Sequence, residues 1–125
     1  MLKKVHTNNA PAAIGPYSQA LSAGNLTFVS GQIPVDPATG LMADTIEEQA
    51  TQALTNLKHV LAAAGLDMSN VIKTAVFLAD LNDFPVVNRI YESFFEAPYP
   101  ARSCVQVAGI PKGALVEIEC IAVKE

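Results

Sequence analysis

The sequence predicts one α+β domain over residues 1–125, two helices packed on one face of a mixed β-sheet, in the order β-β-β-α-β-α-β-β. Three observations carry this reading. Two stretches repeat apolar residues at helical spacing, with an apolar, β-branched run between them. Strand-like segments bounded by Gly, Pro and Asn flank that unit on both sides. Half of the residues are hydrophobic and only 16% are charged, against about 25% in an average domain, so a second subunit is expected to cover the sheet face that the helices leave bare.

The first few residues supply a candidate edge strand. SQALSA (18–23) and LTFVSGQ (26–32) read as a hairpin across Gly24-Asn25, a pair that tolerates the positive φ angles of a tight turn. IPVDPATG (33–40) is a Pro- and Gly-punctuated loop. Asp44-Thr45-Ile46-Glu47-Glu48 then places a capping residue ahead of acids, a helix start. Ala50, Ala53, Leu54, Leu57, Val60, Leu61 and Ala64 form one stripe of that helix, and Gly65 stops it. VIKTAVFLAD (71–80) is apolar enough for a central strand. Asn82-Asp83 caps a second helix over roughly 83–96, with Phe84, Val87, Ile90, Tyr91 and Phe94 on the buried stripe and Pro85 in the first turn. Residues 102–108 and 115–123 read as a closing hairpin around Pro-Lys-Gly.

The formal net charge is −4, with 8 Lys and Arg against 12 Asp and Glu. Apart from Lys3-Lys4 the basic residues are scattered singly, which argues against an electrostatic footprint for nucleic acid. No segment has the length and apolarity of a membrane span or a signal peptide, so no membrane partner is expected. Cys104 and Cys120 form no CxxC pair and sit in apolar strands, as expected of free thiols in a reducing cytoplasm. His6 and His59 lie far apart on an expected edge strand and a polar helix face, and no metal-ligand spacing exists. The lone glycines make no phosphate-cradling motif.

The chemistry gathers in PARSCVQVAGIPKGALVEIEC (100–120). Alternation puts Arg102, Cys104 and Gln106 on one strand face. Hairpin pairing around Ile110–Gly113 would set Gln106 opposite Glu117 and Cys104 opposite Glu119, bringing both acids to the face of Arg102. Two readings of Arg102 follow: an ion pair with one of those glutamates, or a planar fork that captures a substrate carboxylate. Cys104 has no neighbouring His or helix N-terminus to activate it, which favours packing over nucleophilic work. In AIGPYSQA (13–20), Tyr17 follows a Gly-Pro turn, where it walls a pocket or fills core. In FVSGQIP (28–34), Ser30-Gly31-Gln32 marks either a bulge or a close approach of backbone to a ligand. These residues alone indicate a small-anion site without metal or nucleotide.

In order along the chain, APAAIGPYSQA, FVSGQIPVDP, EEQATQALTNLKHVLAAAG, VIKTAVFLADLNDFPVVNRIYESFF and PARSCVQVAGIPKGALVEIEC resemble the RidA (YjgF/YER057c/UK114) family of reactive-intermediate deaminases. The resemblance implies a chorismate-mutase-like fold assembled as a homotrimer, with active sites in the clefts between subunits. It implies hydrolysis of 2-iminopropanoate and 2-iminobutanoate, tautomers of enamines released by PLP-dependent dehydratases, without cofactor or metal. By the same resemblance Arg102 binds the substrate carboxylate, and Glu117 activates water with help from the backbone carbonyl of Cys104. Tyr17, Ser30, Gly31 and Asn88 line the pocket. Glu119 has no counterpart among the family's active-site acids. The alternatives are a 2-oxo-acid sensor that uses the same cleft without turnover and, by fold analogy alone, a chorismate mutase.

Overall fold

The computed structural model describes residues 1–125. Its strands are β1 (Leu2–Val5), β2 (Ala20–Ala23), β3 (Leu26–Gln32), β4 (Val71–Leu78), β5 (Ala101–Gln106) and β6 (Val116–Val123). Two helices interrupt them, α1 (Ile46–Ala63) and α2 (Phe84–Phe94), so the element order is the expected one. The six strands form one sheet ordered β1-β2-β3-β6-β4-β5, in which only β4 and β5 run parallel.

Local chemistry explains most boundaries. Gly24 alone takes a positive φ (61°) in the first turn, so a single glycine suffices where both Gly24 and Asn25 were expected to adopt one. Thr45 caps α1: its hydroxyl oxygen accepts from the Glu48 N–H at 3.2 Å and donates to the Glu48 carboxylate at 3.0 Å. Gly65 ends the helix at φ 77°. The start of α2 differs from expectation. Asp80, rather than Asn82 or Asp83, accepts from a backbone N–H, that of Asn82 at 2.8 Å, and caps a 3-10 turn over Leu81–Asp83 that leads into the helix.

α1 supplies the core. Ala50, Ala53, Leu54, Leu57, Val60 and Leu61 have no exposed surface. Alanines at 50 and 53 let the helix sit close to β6 and β3, whose Val116, Ile118, Cys120 and Val29 complete the cluster. Burying a leucine of this kind contributes about 1.5–3 kcal/mol. Burial alternates along β6, with Val116, Ile118, Cys120 and Ala122 buried beneath the helices. Glu117, Glu119, Ile121 and Val123 face the other way, where no helix lies.

The expected closing hairpin does not exist. β5 pairs with β4, not with β6, and β4 lies between them. The reason is topological. α2 carries the chain back over the sheet, so the next strand enters parallel to β4 on its free side. The following segment then crosses β4 and fills the slot between β4 and β3. The registers place Arg102, Thr74 and Cys120 in one row, and Val105, Phe77 and Glu117 in another. Side chains in these two rows point to opposite faces. Arg102 therefore lies on the helix face and both glutamates on the open face, which overturns the expected Gln106–Glu117 and Cys104–Glu119 pairings and the ion pair built on them.

Candidate active site

Arg102 stands on the edge strand β5 beside α2. Its Nη1 donates to Asn88 Oδ1 at 2.8 Å. Its guanidinium carbon lies 4.8 Å from the Tyr91 ring centroid and 5.3 Å from that of Phe84, within range of cation–π attraction. The side chain is exposed. One of its five N–H donors is engaged, and the rest form the flat fork that matches a carboxylate. Asn88, Tyr91, Glu92, Tyr99, Pro100 and Arg102 line a cleft of ≈ 370 Å³.

Cys104 lies two residues along the same strand, its side chain half-buried against the core. Burial pushes its thiol pKa up, against a smaller lowering by Arg102, the opposite of what activates a nucleophilic cysteine. Its backbone is oriented by the strand ladder. The Val107 N–H donates to Leu78 O at 2.9 Å. Because inward-bonding residues alternate along a ladder, the main-chain groups of 103, 105 and 107 turn toward β4. Those of 102, 104 and 106 turn off the free edge. The Cys104 carbonyl is thus presented outward.

The second group of residues gathers on the other side. The β3–β6 register shifts between Val29 and Gln32, a bulge that displaces Ser30 and Gly31 from the ladder. A Cβ built on Gly31 would collide with the Glu117 carboxylate and lie 2.8 Å from its Cδ. Glycine at 31 is therefore required for Glu117 to rest where it does. Burial, and secondarily the charge of Glu119, raises the Glu117 pKa above the ordinary glutamate value. Tyr17 is half-exposed and lines a cleft of ≈ 630 Å³ together with Gln19, Gly31, Ile33, Pro111 and Lys112. The Ser30 hydroxyl is used locally, donating to Ser18 O at 2.6 Å, which ties the Tyr17 loop to β3.

The sequence-derived residues thus form two sets within one chain, Arg102 and Cys104 on β5 with Asn88 of α2 beside them, and Tyr17, Ser30, Gly31 and Glu117 around the β3 bulge. Sequence reasoning missed the side chains that hold these sets in place. Gln19 is 2% exposed. Its amide donates to the carbonyls of Thr7 and Pro11 at 3.0 and 2.8 Å while its oxygen accepts from the Thr7 N–H. Asn56, fully buried, donates to the carbonyls of Ile33 and Val35. Gln49 accepts from the Leu115 N–H and donates to Ala43 O. The signal was present: Gln49 and Asn56 sit seven residues apart on the stripe that is otherwise Ala, Leu and Val, and a buried amide must find partners.

A family model described as Endoribonuclease L-PSP matches residues 7–124. A Salmonella typhimurium protein named 2-iminobutanoate/2-iminopropanoate deaminase is 53% identical over 127 residues, covering 99% of each chain. A Bos taurus protein of the same name is 51% identical over 123 residues, covering 98% of this chain and 90% of its own. Among solved structures, E. coli TdcF with bound serine matches at a TM-score of 0.95 and 48% identity, over 98% of this chain and 99% of that one. With sequence agreement along nearly its whole length and a sheet and helices that match in three dimensions, this chain belongs to the RidA family, the group covered by the Endoribonuclease L-PSP model.

Proposed function

We propose that the chain is a hydrolase that converts 2-iminopropanoate and 2-iminobutanoate to the corresponding 2-oxo acids and ammonia, removing reactive imino and enamine acids. The observation that carries this reading is the division of labour between an exposed guanidinium with free donors and a half-buried carboxylate of raised pKa. Two relatives more than half identical to this chain bear the name of that activity.

The chemistry needs little more. An imine carbon is electrophilic, more so when its nitrogen is protonated, so water adds without a covalent intermediate. Arg102 grips the substrate carboxylate and Asn88 steadies the grip. Glu117 takes a proton from the attacking water, which the outward carbonyl of Cys104 helps to orient. The tetrahedral adduct then expels ammonia and leaves the 2-oxo acid. Proximity and proton transfer are the working devices. A raised pKa makes the Glu117 carboxylate a stronger base toward the attacking water than an ordinary glutamate.

Because Arg102 and Glu117 lie on opposite faces of one sheet, each site draws them from different copies. We assign a homotrimer, with Arg102, Asn88 and Cys104 of one copy meeting Tyr17, Ser30, Gly31 and Glu117 of the next. The exposed Phe28 and Val105 mark the helix-free sheet face as the surface that assembly covers. Two free thiols suit a reducing cytoplasm, and no helix is long and apolar enough to cross a membrane.

A 2-oxo-acid sensor would use the same cleft without turnover; the half-buried Glu117 carboxyl, its pKa raised, favours turnover. An RNA-cleaving role, which the family model's description would suggest, finds no basic surface in a chain of net charge −4. The test is competition for imine. A dehydratase generates it, and semicarbazide and this protein compete for it. Faster release of 2-oxo acid at the expense of semicarbazone is expected, and a semicarbazone yield indifferent to the protein would overturn the proposal.

A further inference from the structure

The carboxylate grip has a built support that lies outside the residues assigned above. We propose that Tyr91 is a positioning residue for Arg102: its ring, pinned from the core by the Thr74 hydroxyl, forms with Phe84 an aromatic seat that fixes the guanidinium for carboxylate capture. The inference rests on the reading of Arg102 as that grip.

Four observations converge on it. Tyr91 is 4% exposed, yet its ring faces a guanidinium that is itself exposed. Its hydroxyl shares a 2.7 Å hydrogen bond with Thr74 Oγ1, and Thr74 is completely buried. On its other flank the ring packs against Phe95, with centroids 4.6 Å apart at a 37° tilt. Thr74 is also the register partner of Arg102 across β4 and β5, so the strand that carries the arginine and the hydroxyl that pins the ring move as one unit. Burial raises the Tyr91 pKa, which keeps the ring a neutral phenol while its face meets the cation.

The arrangement addresses a specific weakness. A long arginine on an exposed edge strand samples many rotamers, and ordering it on binding costs entropy. Two ring faces restrict where the guanidinium plane can lie, and the Asn88 bond restricts its rotation within that plane. Carboxylate binding is shared by ground and transition states, so loss of the seat should appear in KM rather than kcat.

The experiment compares Tyr91→Leu, Tyr91→Phe and Phe84→Leu in three readouts. These are KM and kcat for imine hydrolysis, Kd for 2-oxobutanoate, and the NMR shifts of the Arg102 side-chain protons, which ring currents displace when the guanidinium lies over an aromatic face. In the wild type the Arg102 signals are expected to be displaced from free-arginine values. Tyr91→Leu should return them toward those values and raise KM and Kd together by about ten-fold, with kcat changed less than about two-fold. Tyr91→Phe restores a ring face and should recover most of the shift and the affinity. Phe84→Leu leaves the buried hydrogen bond untouched and should raise KM about three-fold, which tests the seat even if Tyr91→Leu fails to fold. Unchanged Arg102 shifts and KM in Tyr91→Leu and Phe84→Leu, or a loss confined to kcat, would overturn the proposal. If the shifts respond but the wild type neither hydrolyses imine nor binds 2-oxobutanoate, the seat stands and the deaminase reading fails.

Discussion

Arg102 and Glu117 are held by different means. Arg102 is positioned by side chains: two ring faces and an amide, all from α2, meet it at a free sheet edge. Glu117 is positioned by an absence of side chain, since the bulge in β3 sets Gly31 against it and leaves room for the carboxylate alone. The cationic half is solvent-exposed and held by side chains, the acidic half partly desolvated and held by backbone. That contrast suits a reaction in which a carboxylate must be caught from solution and a water must be met at a defined place.

The sharpest way to break the comparison is to remove each half in turn. Glu117→Ala removes proton transfer and should lower kcat by about two decades or more, with KM little changed. Arg102→Ala removes a charge-assisted contact worth about 1.5–3 kcal/mol, and so about one to two decades of kcat/KM, chiefly through KM. Steady-state kinetics on freshly generated iminopropanoate separates them; identical kinetic signatures for the two variants would undo the division.

A smaller effect is expected of Gly31→Ala. The new methyl needs the place of the Glu117 carboxylate, which can swing aside because it ends a flexible side chain. Activity should fall about ten-fold or more through misplacement of the base while the melting temperature moves little. A large drop in melting temperature would instead mark Gly31 as a backbone requirement.

The gentlest probe is pH. The ionised form of Glu117 accepts the proton, so activity should rise with pH through a pKa that stands above the ordinary glutamate value. Glu119→Gln removes the second cause of that elevation, and the acidic limb of the kcat/KM profile should move to lower pH. Stability runs the opposite way. The native state holds this proton more tightly than the unfolded chain does, so stability falls as pH rises through the raised pKa, and the cost is complete above it. Glu117→Gln should therefore melt higher than the wild type at neutral pH though it is inactive, as thermal unfolding would report.

Much of this was legible in sequence. The stripe on α1, its Thr45 start and its Gly65 stop all appear where local rules put them. The residues of the proposed site drew notice for another reason: Arg102, Glu117 and the Ser30-Gly31 pair are conspicuous in strands that otherwise bury apolar side chains. Which strands meet was not legible. β5 and β6 are neighbours in sequence, and pairing them is the local guess, but α2 forces β5 parallel to β4 and β6 then takes a central place. One strand of displacement moved both glutamates to the face away from Arg102. Tyr91 shows the same limit: helical periodicity put it on the buried stripe, correctly, but periodicity does not reveal that its ring face meets Arg102.

The central claim is that each site takes Arg102 from one copy and Glu117 from another, and mixing the two impaired variants tests it most directly. Arg102→Ala and Glu117→Ala chains, each strongly impaired alone when substrate is well below the wild-type KM, are unfolded together, refolded and assayed under that condition for imine hydrolysis. If halves come from different copies, random assortment in a closed ring gives roughly one quarter of the sites both native groups, and activity should return toward that fraction of wild type. Activity that stays at the level of the separate variants, in mixtures shown to have exchanged chains, would contradict the account.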